Sequence, residues 1–526
     1  MSLLSIVIKA LEAFDLDDDV NRFVIDRTVN VTRNRPHPWS TRHDYISWSG
    51  LTDRTYNARL LPAKPPTGEG RGTSRPPIDQ VTALFARLPG TNQRLCPKST
   101  GLFPAFAQYL TDGFIRTMLH NDDAREDRRR TTSNHEIDLS PLYGRTEVQT
   151  RALRSGQGGR LKSQMLNGEE FSPFLYGADG NVKPEFAGLD LPLGLKNVTP
   201  AGKATLFAVG GDRVNAVPQT AMMNTLFLRE HNRVAGMLAR DNPAWDDERL
   251  FETARNIIIV MFIKIVVEEY INHINTTEFK LQADPKVAWR AKWNRPNWMT
   301  VEFSLLYRWH GLVMENVTWG DKAHPGNSLL LNNGLLLASG LAESFVNTAA
   351  NRTAMLGLEN AASFMMFAEK GAINQARLNN VASYNDYRTA MGMEPARNFA
   401  AIVGSSDNPQ EQARLTALAK RLEGLYGNVN NVEYYVGLFA ERVEKNGPLP
   451  ELVSSMVAMD AFSQALTNPL LSEHVWGNPH NKKLAFTEAG IKLIESTQTL
   501  RDILARNSTG LGKRFVGMTR KEWKRS

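Results

Sequence analysis

Apolar residues recur at three- and four-residue intervals through most of the chain beyond residue 101, the spacing that lines one face of an α-helix. This periodicity predicts helices over 104–119, 219–240, 248–274, 299–310, 329–348, 411–426, 434–445, 449–466 and 500–507. The 248–274 helix follows Asp246 and Asp247, acids that suit the positive end of a helix dipole. Few runs alternate with period two, so the expected fold class is mainly α, without internal repeats. Residues 34–100 read differently: Pro36, Pro38, Pro62, Pro65, Pro66, Pro76 and Pro77 predict an irregular arm wrapped over the helical body. In residues 1–14 the apolar Leu3, Leu4, Ile6, Val7, Ile8, Leu11 and Phe14 leave a narrow polar face at Ser5, Lys9 and Glu12, as in a helix that docks on the body or dips into a membrane interface. The longest apolar run, Ile257 to Ile263, is far short of the ~20 residues that span a bilayer. The expected organisation is an N-terminal helical arm over 1–37, a catalytic body over 38–508 and a basic tail over 509–526.

Composition narrows the classes. The 526-residue chain carries 42% hydrophobic and 22% charged residues, which excludes disordered and collagen-like chains. Its one cysteine, Cys96, excludes a disulfide-stapled scaffold. The net charge of +7 invites a nucleic-acid reading. The basic excess is conspicuous only at Lys513, Arg514, Arg520, Lys521, Lys524 and Arg525, and no helix-turn-helix, zinc-finger or RNP pattern accompanies it. No nucleic-acid partner is expected; the tail, interleaved with Phe515 and Trp523, suits solvent or anionic lipid. With neither a leader nor a spanning segment, the expected location is cytoplasmic or peripheral to a membrane.

HExxH, EF-hand, GxSxG and Walker motifs are missing, which disfavours zinc, a standard calcium loop, hydrolases and P-loop chemistry. What stands out is the segment Glu302 to His310, where Tyr307 and His310 lie three apart and, on a helix, share one face. An imidazole can ligate haem iron, and a phenol one turn away can exchange an electron with the oxidised cofactor. Core packing of an aromatic-rich helix is the competing reading.

A set of motifs in order resembles the cyclooxygenases (prostaglandin synthases) of the animal-type haem peroxidase superfamily. These are His43-Asp-Tyr-Ile-Ser-Trp48, Tyr56-Asn-Ala-Arg-Leu-Leu-Pro62, Phe106-Ala-Gln108-Tyr-Leu-Thr-Asp112, Ile137 to Gly144 and Leu161 to Gly168. Thr225 to Val234, Leu250 to Tyr270, Tyr307-Arg-Trp-His310 and Asn379 to Met393 continue the match, from about residue 40 to about 470. The resemblance implies a helical catalytic domain with little β-structure. It places the axial iron ligand on His310, the radical-forming tyrosine on Tyr307, and the distal pair on Gln108 and Asp112. It implies a haem-dependent dioxygenase that converts an unsaturated, linoleate-like fatty acid to a hydroperoxide with O2 and a peroxide activator. The alternatives are a haem peroxidase oxidising small donors and a haem-binding protein with impaired peroxidase activity.

Departures from the family pattern carry their own expectations. The cyclooxygenase distal histidine is Asp112 here, which predicts weak peroxidase activity. Gly211 to Pro218 resembles the peroxidase segment with a distal arginine, which falls on Arg213. The two ester-forming carboxylate positions are Ala216 and Thr111, so haem b is expected to be held non-covalently. Asn134, Asp138 and Ser140 resemble a calcium loop whose partner carboxylate is replaced by Gly113, so calcium is not expected. The family grips the substrate carboxylate with an arginine and a tyrosine; the resemblance puts the arginine in the stretch of Arg27, Arg33 and Arg35, with Arg33 the best match, Ser339 at the tyrosine position, and the channel serine at Ser463. Peripheral membrane contact is implied by the family. The growth-factor-like module of the animal enzymes has no counterpart, which is similar to a bacterial form of the enzyme.

Overall fold

The computed structural model describes residues 17–30, 39–64, 75–118 and 129–525. The helix expected over 1–14 and Arg33 lie outside these residues. The body is mainly α-helical, as expected, with four two-stranded antiparallel ladders among the described residues. At its centre the helices Pro218–Asp241 and Asp247–Ile265 pack on each other, and Leu102–Asp112 and Leu500–Asn507 pack on the first of them. The second begins where Asp246 accepts a hydrogen bond from the Arg249 N–H and caps the orphan donors of the first turn. Phe262 sits at the hub of the core, its ring centroid 5.3 Å from Phe106 and 5.2 Å from Phe227. Burying each such ring contributes ~1.5–3 kcal/mol.

The motif Thr225 to Val234 is polar yet buried, which is costly unless every polar group finds a partner. Here they do. Glu230 accepts from Arg233, Arg506 and Asn507. Asn232 Oδ1 accepts from the Leu161 N–H at 2.8 Å, and Tyr143 lies 2.9 Å from His231 Nδ1. The motifs Ile137 to Gly144 and Leu161 to Gly168 are thus locked onto one helix.

Several boundaries differ from the periodic reading. The 104–119 prediction ends early, because the helix is Leu102–Asp112. The 248–274 helix passes into a π turn, Val266–Ile271, before its last residues. The 329–348 prediction is two helices, Gly334–Ser339 and Leu341–Ala350, broken at Gly340 with φ 76°. A Cβ there would lie 2.0 Å from the Glu169 carboxylate, so only glycine fits both the conformation and the contact. The 434–445 helix stops at Ala440, and a further helix, Met366–Leu378, had no periodic signal strong enough to predict it.

The prediction over 299–310 needs the largest correction. The helix is only Val301–Leu306; Tyr307 caps it, and His310 opens a separate 3-10 turn, His310–Leu312. Tyr307 and His310 therefore do not share a helical face. The Trp309 ring folds back over Tyr307, with centroids 4.7 Å apart, and packs on Phe103 at 5.5 Å, which draws the backbone out of the helix.

The arm expected over 34–100 is irregular where described, with short helices at Trp48–Thr52 and Ile78–Thr82. The basic C-terminal segment packs on the body: Leu511, Val516 and Met518 are buried, and Arg520 N–H donates to the Lys98 carbonyl. Apolar anchors every few residues hold it there, whatever its charge. No helix among the described residues is long and apolar enough to cross a membrane.

Candidate functional site

The short Val301–Leu306 helix leads into Tyr307, and distant motifs hold it in place. Its buried Glu302 accepts from the Leu60 N–H at 3.0 Å and from the Tyr387 hydroxyl at 2.5 Å. The motifs Tyr56 to Pro62 and Asn379 to Met393 thus meet on one carboxylate. Tyr307 follows this helix and is buried, 6% exposed, between Phe303 and Trp309 with centroids 4.6 and 4.7 Å away. Burial pushes its phenol up beyond the ordinary tyrosine range; the Tyr270 hydroxyl pulls against that, and the charge of Asp460 adds to it. Tyr307 is thus a neutral phenol at physiological pH, still carrying its hydrogen atom.

Tyr270 and Asp460 belong to the site but were not singled out from sequence. Tyr270 lies in the π turn and Asp460 on the Glu451–Leu466 helix, which packs against Val301–Leu306. The signal available for Tyr270 was its place at the end of a recognised motif. Ser463 is on the same helix as Asp460, fully buried, with its hydroxyl donating to the Asp460 carbonyl at 3.1 Å. The structure brings Ser463 to the helix beside Tyr307 with its hydroxyl already engaged. Ser339 accepts a hydrogen bond from Trp319 Nε1 at 2.9 Å.

His310 exposes 19% of its side chain, while its Nδ1 is buried without a hydrogen bond and lies 3.4 Å from Glu369 Oε2. With Nδ1 buried, Nε2 is the ring nitrogen left to ligate a metal. Two residues before His310, Arg308 is half-buried, with its Nε buried and unpartnered. Burial, and then the neighbouring Arg213 cation, bring its pKa down to about 10. Two arginines from segments nearly a hundred residues apart therefore feel one another's charge.

Arg213 joins this region to the distal helix. Gln108 and Asp112 lie one turn apart on Leu102–Asp112. Arg213 N–H donates to Asp112 Oδ2 at 3.3 Å, and its Nη1 lies 3.7 Å from Asp112 Oδ1 and 3.1 Å from Asp212. Arg116 pairs with Asp212 at 2.8 Å. The structure thus brings Asp112 and Arg213 together and adds two partners, Asp212 and Arg116. Burial and the adjacent Asp212 charge raise the Asp112 pKa against the pull of Arg116 and Arg213. Asp212 is held low: burial opposes this, but Arg213 and Arg116 outweigh it. The pair therefore holds one proton more readily than two isolated carboxylates, with Asp112 the member shifted toward keeping it. Gly211 permits this packing, because a Cβ there would lie 2.0 Å from Asp112 Oδ2.

Both oxygens of Asp138 are occupied, one by the Asn134 amide at 2.7 Å and one by the Ser140 N–H at 2.8 Å. Among the described residues no group of three His, Cys, Asp or Glu side chains is arranged to hold a metal ion.

The chain matches the model of the family described as "Animal haem peroxidase" over residues 104–516. Among curated proteins it is 30% identical to prostaglandin G/H synthase 2 of Equus caballus over 505 residues, covering 93% of this chain and 77% of that protein. It is also 30% identical to prostaglandin G/H synthase 1 of Rattus norvegicus over 472 residues, 86% of this chain and 73% of that one. Among solved structures it superposes on the fatty acid alpha-dioxygenase of Arabidopsis thaliana with a TM-score of 0.71 at 15% identity, covering 98% of this chain and 91% of that one.

Proposed function

The chain belongs to the animal haem peroxidase family, and from that premise we propose that it is a haem-dependent dioxygenase that forms a hydroperoxide from an unsaturated, linoleate-like fatty acid through a tyrosyl radical at Tyr307. The observation that carries this reading is the buried, neutral Tyr307 phenol, stacked on Trp309 in the same short segment as His310. The residues present fit the cofactor: His310 turns its free edge outward, and the half-buried Arg308 has no ion pair among the described residues, as suits an anionic ligand. His310 would hold the iron of non-covalent haem b. Bound there, haem supplies the oxidising power once peroxide has activated it.

The protein's own residues do the rest. Tyr307 gives up a hydrogen atom, and the resulting phenoxyl takes one from an allylic carbon of the fatty acid. O2 adds to the carbon radical, and the peroxyl recovers the hydrogen from Tyr307, so the net change is RH + O2 → ROOH. Burial keeps water from the radical, and Phe303 and Trp309 fix the ring so that position selects the carbon. On the distal side Asp112 carries the pair's proton and Arg213 supplies a fixed cation, the two elements needed to hold and protonate a peroxide oxygen.

Oxygen uptake by the haem-loaded protein with linoleic acid, with products resolved by mass spectrometry, tests the reading. A single dominant hydroperoxide is expected. No uptake despite an intact Soret band would overturn it, and peroxide-dependent dye oxidation without fatty-acid turnover would establish a peroxidase oxidising small donors.

A further inference from the structure

Glu369 lies on the Met366–Leu378 helix, 2% exposed, in surroundings where a carboxylate needs compensation. Its Oε2 has two neighbours. The Tyr435 hydroxyl donates to it at 2.6 Å, and His310 Nδ1, itself buried and without a hydrogen bond, lies 3.4 Å away. The carboxylate also acts on the half-buried Arg308 guanidinium without forming an ion pair with it. A buried donor and a buried acceptor that face each other at 3.4 Å need only a small ring rotation to close a charge-assisted bond.

We propose that Glu369 is the positioning residue of the His310 centre, taking the Nδ1–H in a hydrogen bond so that the ring presents Nε2 to the iron and gains anionic character, with Tyr435 moderating that effect by drawing charge from the same oxygen. A carboxylate behind a ligating imidazole fixes its tautomer and orientation and raises its basicity. A more basic axial ligand favours ferric over ferrous iron. The two partners compete for one oxygen, so their removal has opposite effects. This rests on His310 being the haem ligand, as proposed above.

The test uses the full chain loaded with haem b and reads the iron–histidine stretching band of the ferrous protein by resonance Raman, with the haem:protein ratio as control. Glu369→Gln keeps the side-chain shape and removes the charge; the band shifts to lower frequency while haem binding persists. Tyr435→Phe leaves Oε2 to His310 alone and shifts the band upward. The midpoint potential rises in the first variant and falls in the second, but it also responds to any nearby charge, so the band decides. A Glu369→Gln band identical to wild type would mean that Glu369 serves only as a counter-charge to Arg308, and the proposal falls. Should that variant not fold, an unshifted band in Tyr435→Phe overturns it equally. A wild-type protein with no iron–histidine band, or one whose band survives His310→Ala, instead defeats the assignment of His310 on which the inference stands.

Discussion

Tyr307 and Trp309 stack with ring centroids 4.7 Å apart and planes inclined by 22°, although only Arg308 separates them in the chain. That pairing breaks the helix before His310 and holds the phenol buried. Tyr307→Phe keeps the ring contacts and removes only the hydrogen-bearing oxygen. Oxygen uptake with linoleate should fall to background while the Soret band and thermal midpoint stay at wild-type values. Uptake that survives the change would remove Tyr307 from the reaction.

His310→Ala tests the axial ligand. Loss of an indirect partner of a metal ligand already costs about 10–100-fold in affinity, so loss of the ligand itself should weaken haem binding by at least that factor. Spectrophotometric titration with haemin measures it, and an unchanged Soret maximum and affinity would assign the iron elsewhere.

The contact between Gly211 and Asp112 predicts a strongly non-additive pair. Gly211→Ala places a Cβ 2.0 Å from the Asp112 carboxylate and should destabilise the protein by ~1–3 kcal/mol in urea unfolding. Asp112→Ala leaves Arg213 short of a partner and is destabilising alone, but the double variant should recover part of the loss, because the clash is gone. Additive losses would show that the two residues do not touch.

His231 makes stability depend on pH. Its ring is buried between the Tyr143 hydroxyl and the Gly159 carbonyl, and burial lowers its pKa from 6.5 to about 4. The folded state resists protonation that the unfolded chain accepts below pH 6.5, so this contribution is intact above 6.5 and is lost as pH falls to about 4. The loss is roughly 3 kcal/mol at one pKa unit per 1.36 kcal/mol. His231→Gln should be less stable at pH 7.5 but flatter between pH 6.5 and 4 than wild type; parallel pH profiles would show that His231 is not held neutral.

The amino-acid sequence determined much of this protein. Periodic apolar positions located Pro218–Asp241, Pro409–Tyr426, Glu451–Leu466 and Leu500–Asn507 to within a few residues, because each buries one regular face. The ordered motifs identified the family and placed His310 and Tyr307 in one segment. Other features arose only in three dimensions. The end of the helix at Leu306 comes from Trp309 packing on Tyr307 and Phe103, a contact with a residue two hundred positions away. The charge state of Asp112 depends on Asp212 and Arg213, brought beside it from a hundred residues downstream. Glu369 gave no local signal, being one acid on a helix of ordinary composition, and acquires its neighbour His310 only through the packing of that helix. Local periodicity fixes which face of an element is buried. Which groups meet across buried faces, and hence which carboxylate keeps a proton and which imidazole edge stays open, is decided by long-range packing in a medium where every unmatched charge is costly.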